Sequence, residues 1–247
     1  MDFPSDLVNL LKNASRVAAL TGAGVSQESG LRTFRDAQVG LWAQYRPEDL
    51  ATPEAFVRDP KLVWDWYAWR RAAVKLALPN AGHHALVAME RHIPDFTLIT
   101  QNVDGLHRVA GNVNVLELHG NITRVRCFEC GAFADTWGHD RQSVPRCGQA
   151  ACRGLLRPDV VWFGESLPPA ALHEAVNATR RCQAFLSIGT SGLVQPAASL
   201  AHAALTNGAV VVEINADATP LTSNVDYAFR GRSGEILPEL VRAVWGE

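Results

Sequence analysis

Cys127-x2-Cys130-x16-Cys147-x4-Cys152 sets four thiols in two close pairs. Thiolates at that spacing suit a tetrahedral zinc ion gripped by two short loops, in the manner of a zinc ribbon. Four sulfurs complete the coordination, so such a site is structural rather than catalytic. His139 is an alternative ligand, but four thiolates suffice, and a histidine in that polar stretch reads as solvent-facing. Cys182 stands alone beside an apolar run and reads as a core residue. Just upstream of the cysteines, His119-Gly120 ends one apolar run and Gln101-Asn102-Val103-Asp104 ends another. An imidazole there, with a glycine beside it, can act as a general base near neutrality. A satisfied core histidine is the competing reading. Asn102 and Asp104 suit either a polar ligand or an Asx-turn or helix N-cap, and the residues alone do not separate these.

Three further groups carry chemistry. Gly22-x-Gly24 follows an apolar run, where backbone without side chains can approach a pyrophosphate. Gly30 falls too late to complete Gly-x-Gly-x-x-Gly, so a tight structural turn explains the pair equally well. Asn215 and Asp217 follow a late strand and could serve a ribose, or cap a helix. In Trp64-Asp65-Trp66-Tyr67-Ala68-Trp69-Arg70-Arg71, helical i,i+3 spacing puts Tyr67 and Arg70 on one face. Together a phenol and a guanidinium can bind a carboxylate. Three tryptophans in the same stretch favour the plainer reading, an arginine packed on aromatic neighbours.

These residues need a scaffold that brings strand ends together. Apolar runs at residues 17–20, 96–100, 113–118, 160–163, 185–188 and 209–214 predict strands, with helical segments between most of them. Continuous apolar strands alternating with helices predict an α/β fold with a parallel sheet covered on both faces. Five of the strands lead into Gly or small polar residues, so one edge of the sheet reads as the binding site. Residues 36–79 and 121–157 break the alternation. The first has two helix starts, Thr52-Pro53 and Asp59-Pro60; the second is poor in core residues and needs a staple such as the metal.

The 247 residues can bury a sizeable core, and no linker divides them. With 23 basic against 25 acidic residues, no net field favours nucleic acid or an anionic membrane. No stretch approaches the roughly 20 apolar residues of a membrane span. The start lacks a basic, apolar leader, so a soluble, unprocessed protein is expected. Clustered cysteines fit a reducing compartment, and the cytoplasm is the expected location.

The sequence resembles the sirtuins. The resemblance rests on Gly22-Ala23-Gly24-Val25-Ser26-Gln27-Glu28-Ser29-Gly30, Thr33-Phe34-Arg35, Gln101-Asn102-Val103-Asp104-Gly105-Leu106-His107, His119-Gly120, the four cysteines, Phe163-Gly164-Glu165, Gly189-Thr190-Ser191 and Asn215, in order and spacing. It implies a single catalytic domain in which NAD and an acyl-lysine meet between two lobes. The large, Rossmann-like lobe would span residues 1–35, 80–120 and 158–247. The small lobe would combine a helical insertion, 36–79, with a zinc-ribbon module, 121–157. His119 would be the general base, and Cys127, Cys130, Cys147 and Cys152 the ligands of one structural zinc. NAD would fall to Gly22, Ala23, Gly24, Glu28, Thr33, Phe34, Arg35, Gln101, Asn102, Asp104, Gly189, Thr190, Ser191, Asn215 and Ser233.

In the family's reaction the acyl oxygen attacks the nicotinamide ribose and nicotinamide leaves. The base then activates a ribose hydroxyl, and water completes release of lysine and O-acyl-ADP-ribose. Tyr67-x-x-Arg70 is similar to the pair that marks class III sirtuins, which accept succinyl and malonyl groups, and this reverses the plainer reading of that helix. Removal of succinyl, malonyl and acetyl groups is therefore expected. Val161, Phe163 and Gly164 would meet the substrate, with residues 161–165 as a strand that pairs with the peptide. The chain departs from the family at Arg32, where proline is usual, which predicts looser ordering of the following loop. Two other functions compete: an NAD hydrolase or ADP-ribosyltransferase on the same scaffold, and a zinc-ribbon module for nucleic acid, which the charge balance disfavours. The expected partners are acylated proteins, with neither nucleic acid nor membrane. Nothing in the sequence sets the oligomeric state, and a monomer is the working assumption.

Overall fold

Val17 and Ala19 face one side of the first strand and Ala18 and Leu20 the other, and none is more than 1% exposed. Only a strand covered on both faces buries successive residues in this way. The computed structural model describes residues 1–31, 45–134 and 143–246. Arg32, Thr33, Phe34, Arg35 and His139 therefore lie outside the described residues. A six-stranded, wholly parallel sheet is built from β1 (Arg16–Thr21), β2 (Asp95–Thr100), β3 (Val115–Glu117), β7 (Ala184–Ile188), β8 (Val210–Asn215) and β9 (Tyr227–Arg230). Their spatial order is β3-β2-β1-β7-β8-β9. Val17 pairs with Phe96 on one side and Ala184 on the other, so β1 and β7 are the central pair.

Helices α1 (Ser5–Asn13), α6 (Ala81–His92) and α10 (Ser233–Trp245) cover one face through Leu7, Leu86, Met89, Leu237 and Leu240. Helices α8 (Pro169–Arg181) and α9 (Ser199–Thr206) cover the other through Ala175, Leu200 and Ala204. Short helices α2 (Ala23–Gln27) and α7 (Leu106–Ala110) follow β1 and β2 at the carboxyl edge of the sheet. Because strand order runs outward in both directions from β1 and β7, a crevice opens between the turns that follow them.

A separate apolar cluster forms the second lobe. Helices α3 (Pro47–Leu50), α4 (Pro53–Arg58) and α5 (Pro60–Leu76) pack Leu50, Phe56, Val63 and Trp66 against Ile122, Val125 and Leu156. Thr52 and Asp59 cap α4 and α5 by accepting from the N–H groups of Ala55 (3.1 Å) and Leu62 (3.0 Å), with Pro53 and Pro60 at the first helical positions. These are the two starts read in the sequence. The sheet of this lobe is antiparallel, in the order β5-β4-β6, from β4 (Gly120–Cys127), β5 (Phe133–Ala134) and β6 (Leu156–Val160).

The strand expected at residues 160–163 is therefore displaced. The strand is Leu156–Val160, and residues 161–165 leave the sheet in an irregular segment and turn. Polar residues concealed it: buried Arg157 pairs with Glu165, and Asp159 with Arg124. Trp162, within the expected run, packs into the aromatic cluster of the second lobe against Phe56 rather than in a strand. The run 113–118 likewise shortens to Val115–Glu117, since Val113 is 80% exposed.

Candidate active site

Gly22 and Gly24 sit where two turns touch. The Gly22 N–H donates to the Ile188 carbonyl at 3.0 Å and the Gly24 N–H to the Gly189 carbonyl at 2.8 Å. A Cβ on Gly22 would lie 2.8 Å from Gly189 O and Thr190 Cα, and one on Gly24 would lie 2.8 Å from Gly189 Cα. No real side chain occupies such space, so glycine is required at both positions for the turns after β1 and β7 to interlock. Gly189, at φ +58°, supplies the left-handed conformation that makes the second turn.

The polar strand ends are stitched to those turns. Asn102 Nδ2 donates to Gly22 O (3.0 Å) and Ser26 Oγ (3.1 Å). Ser26 Oγ donates to Asp104 Oδ2 (2.7 Å), while Asp104 Oδ1 accepts from the Leu106 N–H (2.8 Å) in an Asx-turn. Burial raises the Asp104 carboxyl, against the lowering effect of those bonds. Gln101 Nε2 donates to Thr190 Oγ1 (2.9 Å), and Asn215 Nδ2 to Thr190 O (3.0 Å), so one threonine joins the ends of β2, β7 and β8. Glu28 is engaged within the fold: its Oε2 accepts from Ser233 Oγ (3.2 Å) and from the Gly234 N–H (2.7 Å) at the start of α10.

All of these groups border one cavity of about 1200 Å³ that runs between the lobes. Ala23 and Ser191 complete its glycine-rich end, and Val161, Phe163 and Gly164 its opposite wall. His119, at the junction of β3 and β4, lies on the same cavity. Its Nδ1 is 3.0 Å from the Gln101 carbonyl oxygen. A carbonyl only accepts, so Nδ1 carries the proton and Nε2 keeps its lone pair. Burial holds the imidazole below its ordinary range, opposed by the Gln101 carbonyl, so the ring is neutral at pH 7. The other half of that peptide unit is also fixed, because the Asn102 N–H donates to Thr100 Oγ1 at 3.0 Å. Thr21 Oγ1 bonds the same hydroxyl at 2.8 Å and lies 2.9 Å from His107 Nε2. The base is thus oriented by a buried network, a role for Thr21, Thr100 and His107 that sequence reading missed.

Tyr67 and Arg70 emerge from α5 into the cavity on the side of the second lobe. Arg70 Cζ lies 5.0 Å over the Trp66 ring, the aromatic packing of the plainer reading, and the residue also borders the cavity. Tyr67 is buried edge-on against Trp66 at 4.6 Å, and its hydroxyl accepts from Trp162 Nε1 at 3.1 Å.

The sulfurs of Cys127, Cys130, Cys147 and Cys152 converge away from the cavity, all within 4.8 Å of one another. Cys127 and Cys152 approach to 3.5 Å, and Cys130 and Cys147 to 3.8 Å. A disulfide needs about 2.05 Å. Four sulfurs at about 2.3 Å from a central zinc stand roughly 3.8 Å apart, the spacing seen here. Backbone N–H groups of Cys130 and Gln149 point at Cys127 Sγ and Cys147 Sγ, each at 3.5 Å, as thiolate ligands require. The residues fit a closed, structural zinc site.

A profile described as the Sir2 family matches residues 22–196. The chain belongs to the Sir2 family. Among Sir2 relatives, the NAD-dependent protein deacylase of Aquifex aeolicus is 51% identical over 218 residues, 88% of this chain and 90% of that one. NAD-dependent protein deacylase 1 of Pseudomonas aeruginosa is 48% identical, covering 96% and 97%. Of solved structures, a Sir2 homologue in complex with NAD superposes with a TM-score of 0.92 at 46% identity, over 98% of this chain and 94% of the other. A Sir2 complex with a p53 peptide and NAD+ gives 0.85 at 30% identity, over 98% of both chains. The expected Rossmann-like parallel sheet is thus the Sir2 fold, and the four-cysteine cluster accompanies it.

Proposed function

We propose that this Sir2-family chain is an NAD-dependent protein-lysine deacylase that removes succinyl and malonyl groups, and acetyl groups as well. Four observations support NAD in the crevice: the side-chain-free turns at Gly22 and Gly24, the polar ends of β2, β7 and β8, the size of the cavity, and the NAD complexes of similar Sir2 chains. Gly22, Gly24, Gln101, Asn102, Ser191 and Asn215 would line the bound dinucleotide, with Thr33, Phe34 and Arg35 joining them as the resemblance implies. Bound NAD would supply an electrophilic ribose carbon as nicotinamide departs. His119 Nε2 would take up the proton of a ribose hydroxyl, while Nδ1 keeps its own proton on the Gln101 carbonyl. Over a full turn, acyl-lysine, NAD and one water yield lysine, nicotinamide and O-acyl-ADP-ribose. No protein nucleophile enters the account, and the chain contributes position and polarity. Because the cysteine cluster suits zinc held by reduced thiols, the same reading has the enzyme working in the cytoplasm on acylated proteins.

The preference for acidic acyl groups rests on one observation: Tyr67 and Arg70 border the same cavity as His119, on one face of α5. A guanidinium and a phenol can both donate to a carboxylate and have nothing comparable to offer an acetyl methyl. The test compares succinyl-lysine and acetyl-lysine peptides at saturating NAD. Arg70→Met is expected to lower the succinyl-to-acetyl ratio of kcat/KM by about a hundredfold, the value of two charge-assisted hydrogen bonds. A ratio left unchanged in that variant would remove the carboxylate clamp.

A further inference from the structure

Tyr67 is buried in α5, yet its hydroxyl has one partner among the described residues, the indole N–H of Trp162. An indole nitrogen donates and never accepts, so in this bond the tyrosine oxygen is the acceptor. The phenol proton must point elsewhere, and among the described residues nothing accepts it. Tyr67 borders the cavity. Burial pushes its phenol up to about 12, so that proton stays in place throughout the neutral range.

Trp162 has little freedom to release this arrangement. The Arg157 guanidinium stacks on its ring with Cζ 3.4 Å from the centroid. Arg157 Nη2 donates to the Val160 carbonyl (2.7 Å) and to Glu165 Oε2 (2.9 Å), and that carboxylate oxygen also accepts from the Trp162 backbone N–H (2.8 Å). Backbone, ring face and indole edge are therefore all fixed. Phe56, 5.3 Å from the indole ring, and Trp66, edge-on to Tyr67, close the other sides.

We propose that Trp162 is a specificity-determining positioning residue: by occupying the acceptor lobe of Tyr67 it commits the hydroxyl to donate toward an anionic acyl terminus beside Arg70. The inference rests on the acidic-acyl reading given above. A hydroxyl free to rotate serves donor and acceptor substrates alike. One with its acceptor side filled favours a carboxylate, which can only accept.

The experiment replaces Trp162 in two ways, by Trp162→Phe and by site-specific insertion of the benzothienyl analogue, in which sulfur stands for the indole N–H and the ring volume is kept. Both proteins are assayed with NAD on succinyl-lysine and acetyl-lysine peptides, beside Tyr67→Phe, the Tyr67→Phe/Trp162→Phe double variant and Arg70→Met. Each Trp162 replacement is expected to lower the succinyl-to-acetyl ratio of kcat/KM about tenfold, the value of one hydrogen bond to a charged group, chiefly through KM for the succinyl peptide. The double variant is expected to show no greater loss than Tyr67→Phe alone. Equal losses on both peptides, or an additive double variant, would make Trp162 a packing residue only and overturn the inference. If Arg70→Met lowers the ratio while both Trp162 replacements leave it intact, the inference fails and the clamp stands. If Arg70→Met leaves the ratio intact, the clamp fails and takes the inference with it.

Discussion

Changing His119 to alanine is expected to lower turnover by about a hundred- to ten-thousandfold, the range for removing a positioned general base. The substitution takes away the Nε2 lone pair and leaves the Gln101 carbonyl without its N–H partner. The carbonyl borders an open cavity that water can reach, so folding should survive and the loss should fall on kcat. The pH profile provides a separate check. Burial holds the His119 imidazole below its ordinary value of 6.5, and the neutral ring is the working form. Activity in the parent protein should therefore hold as pH falls to 6.5 and decline only below it, as the ring gains a proton and loses its lone pair. Residual activity in the alanine variant should lack that limb. An unchanged acid limb in His119→Ala, or turnover within tenfold of the parent, would assign the base elsewhere.

Loss of the metal is the second large effect. Cys127 and Cys147 are buried among Val125, Leu156 and Phe128 in the core of the second lobe, and β5 is only two residues long. Apolar packing alone does little for so thin a sheet, whereas a structural zinc in small peptides contributes about 10–16 kcal/mol of apparent binding free energy. A Cys147→Ser/Cys152→Ser protein is expected to purify without zinc and to lose amide-exchange protection over β4 and β6. Protection over β1 and β7 should stay, because their core contains none of the four cysteines. Activity should fall to background although no cysteine borders the cavity, since β4 begins beside His119 and Gly120 pairs with Val160 across the sheet. Zinc is measured by elemental mass spectrometry and protection by hydrogen exchange. A zinc-free protein with full activity and an intact β4–β6 ladder would refute the structural role.

The central strands were legible in the sequence for a simple reason. β1, β2, β7 and β8 are buried on both faces, and that condition writes itself as an unbroken apolar run. Other strands were missed or misplaced for different reasons. Tyr227–Arg230 alternates between half-buried and exposed at the sheet edge, and β6 carries buried Arg157 and Asp159, whose partners Glu165 and Arg124 lie far enough away in sequence to hide the pairing. The site divides in the same way. His119 and the cysteines were visible from residue type and spacing. The tautomer of His119 was not, because it depends on a carbonyl contributed by another strand end. Glu28, assigned to the cofactor by resemblance, has its carboxylate tied to Ser233 and Gly234, a contact across 205 residues of sequence that no local pattern reveals. Trp162 stood in the sequence as part of an apolar run, and only its place over Arg157 and against Tyr67 shows what it touches.

The most direct test of the whole reading is a product analysis. Purified protein is incubated with NAD and a succinyl-lysine peptide, and the small molecules are identified by mass spectrometry. Nicotinamide, free-lysine peptide and O-succinyl-ADP-ribose are expected in equal amounts, with no conversion when NAD is withheld. Free ADP-ribose formed at the same rate without peptide, or peptide deacylated without consumption of NAD, would contradict it.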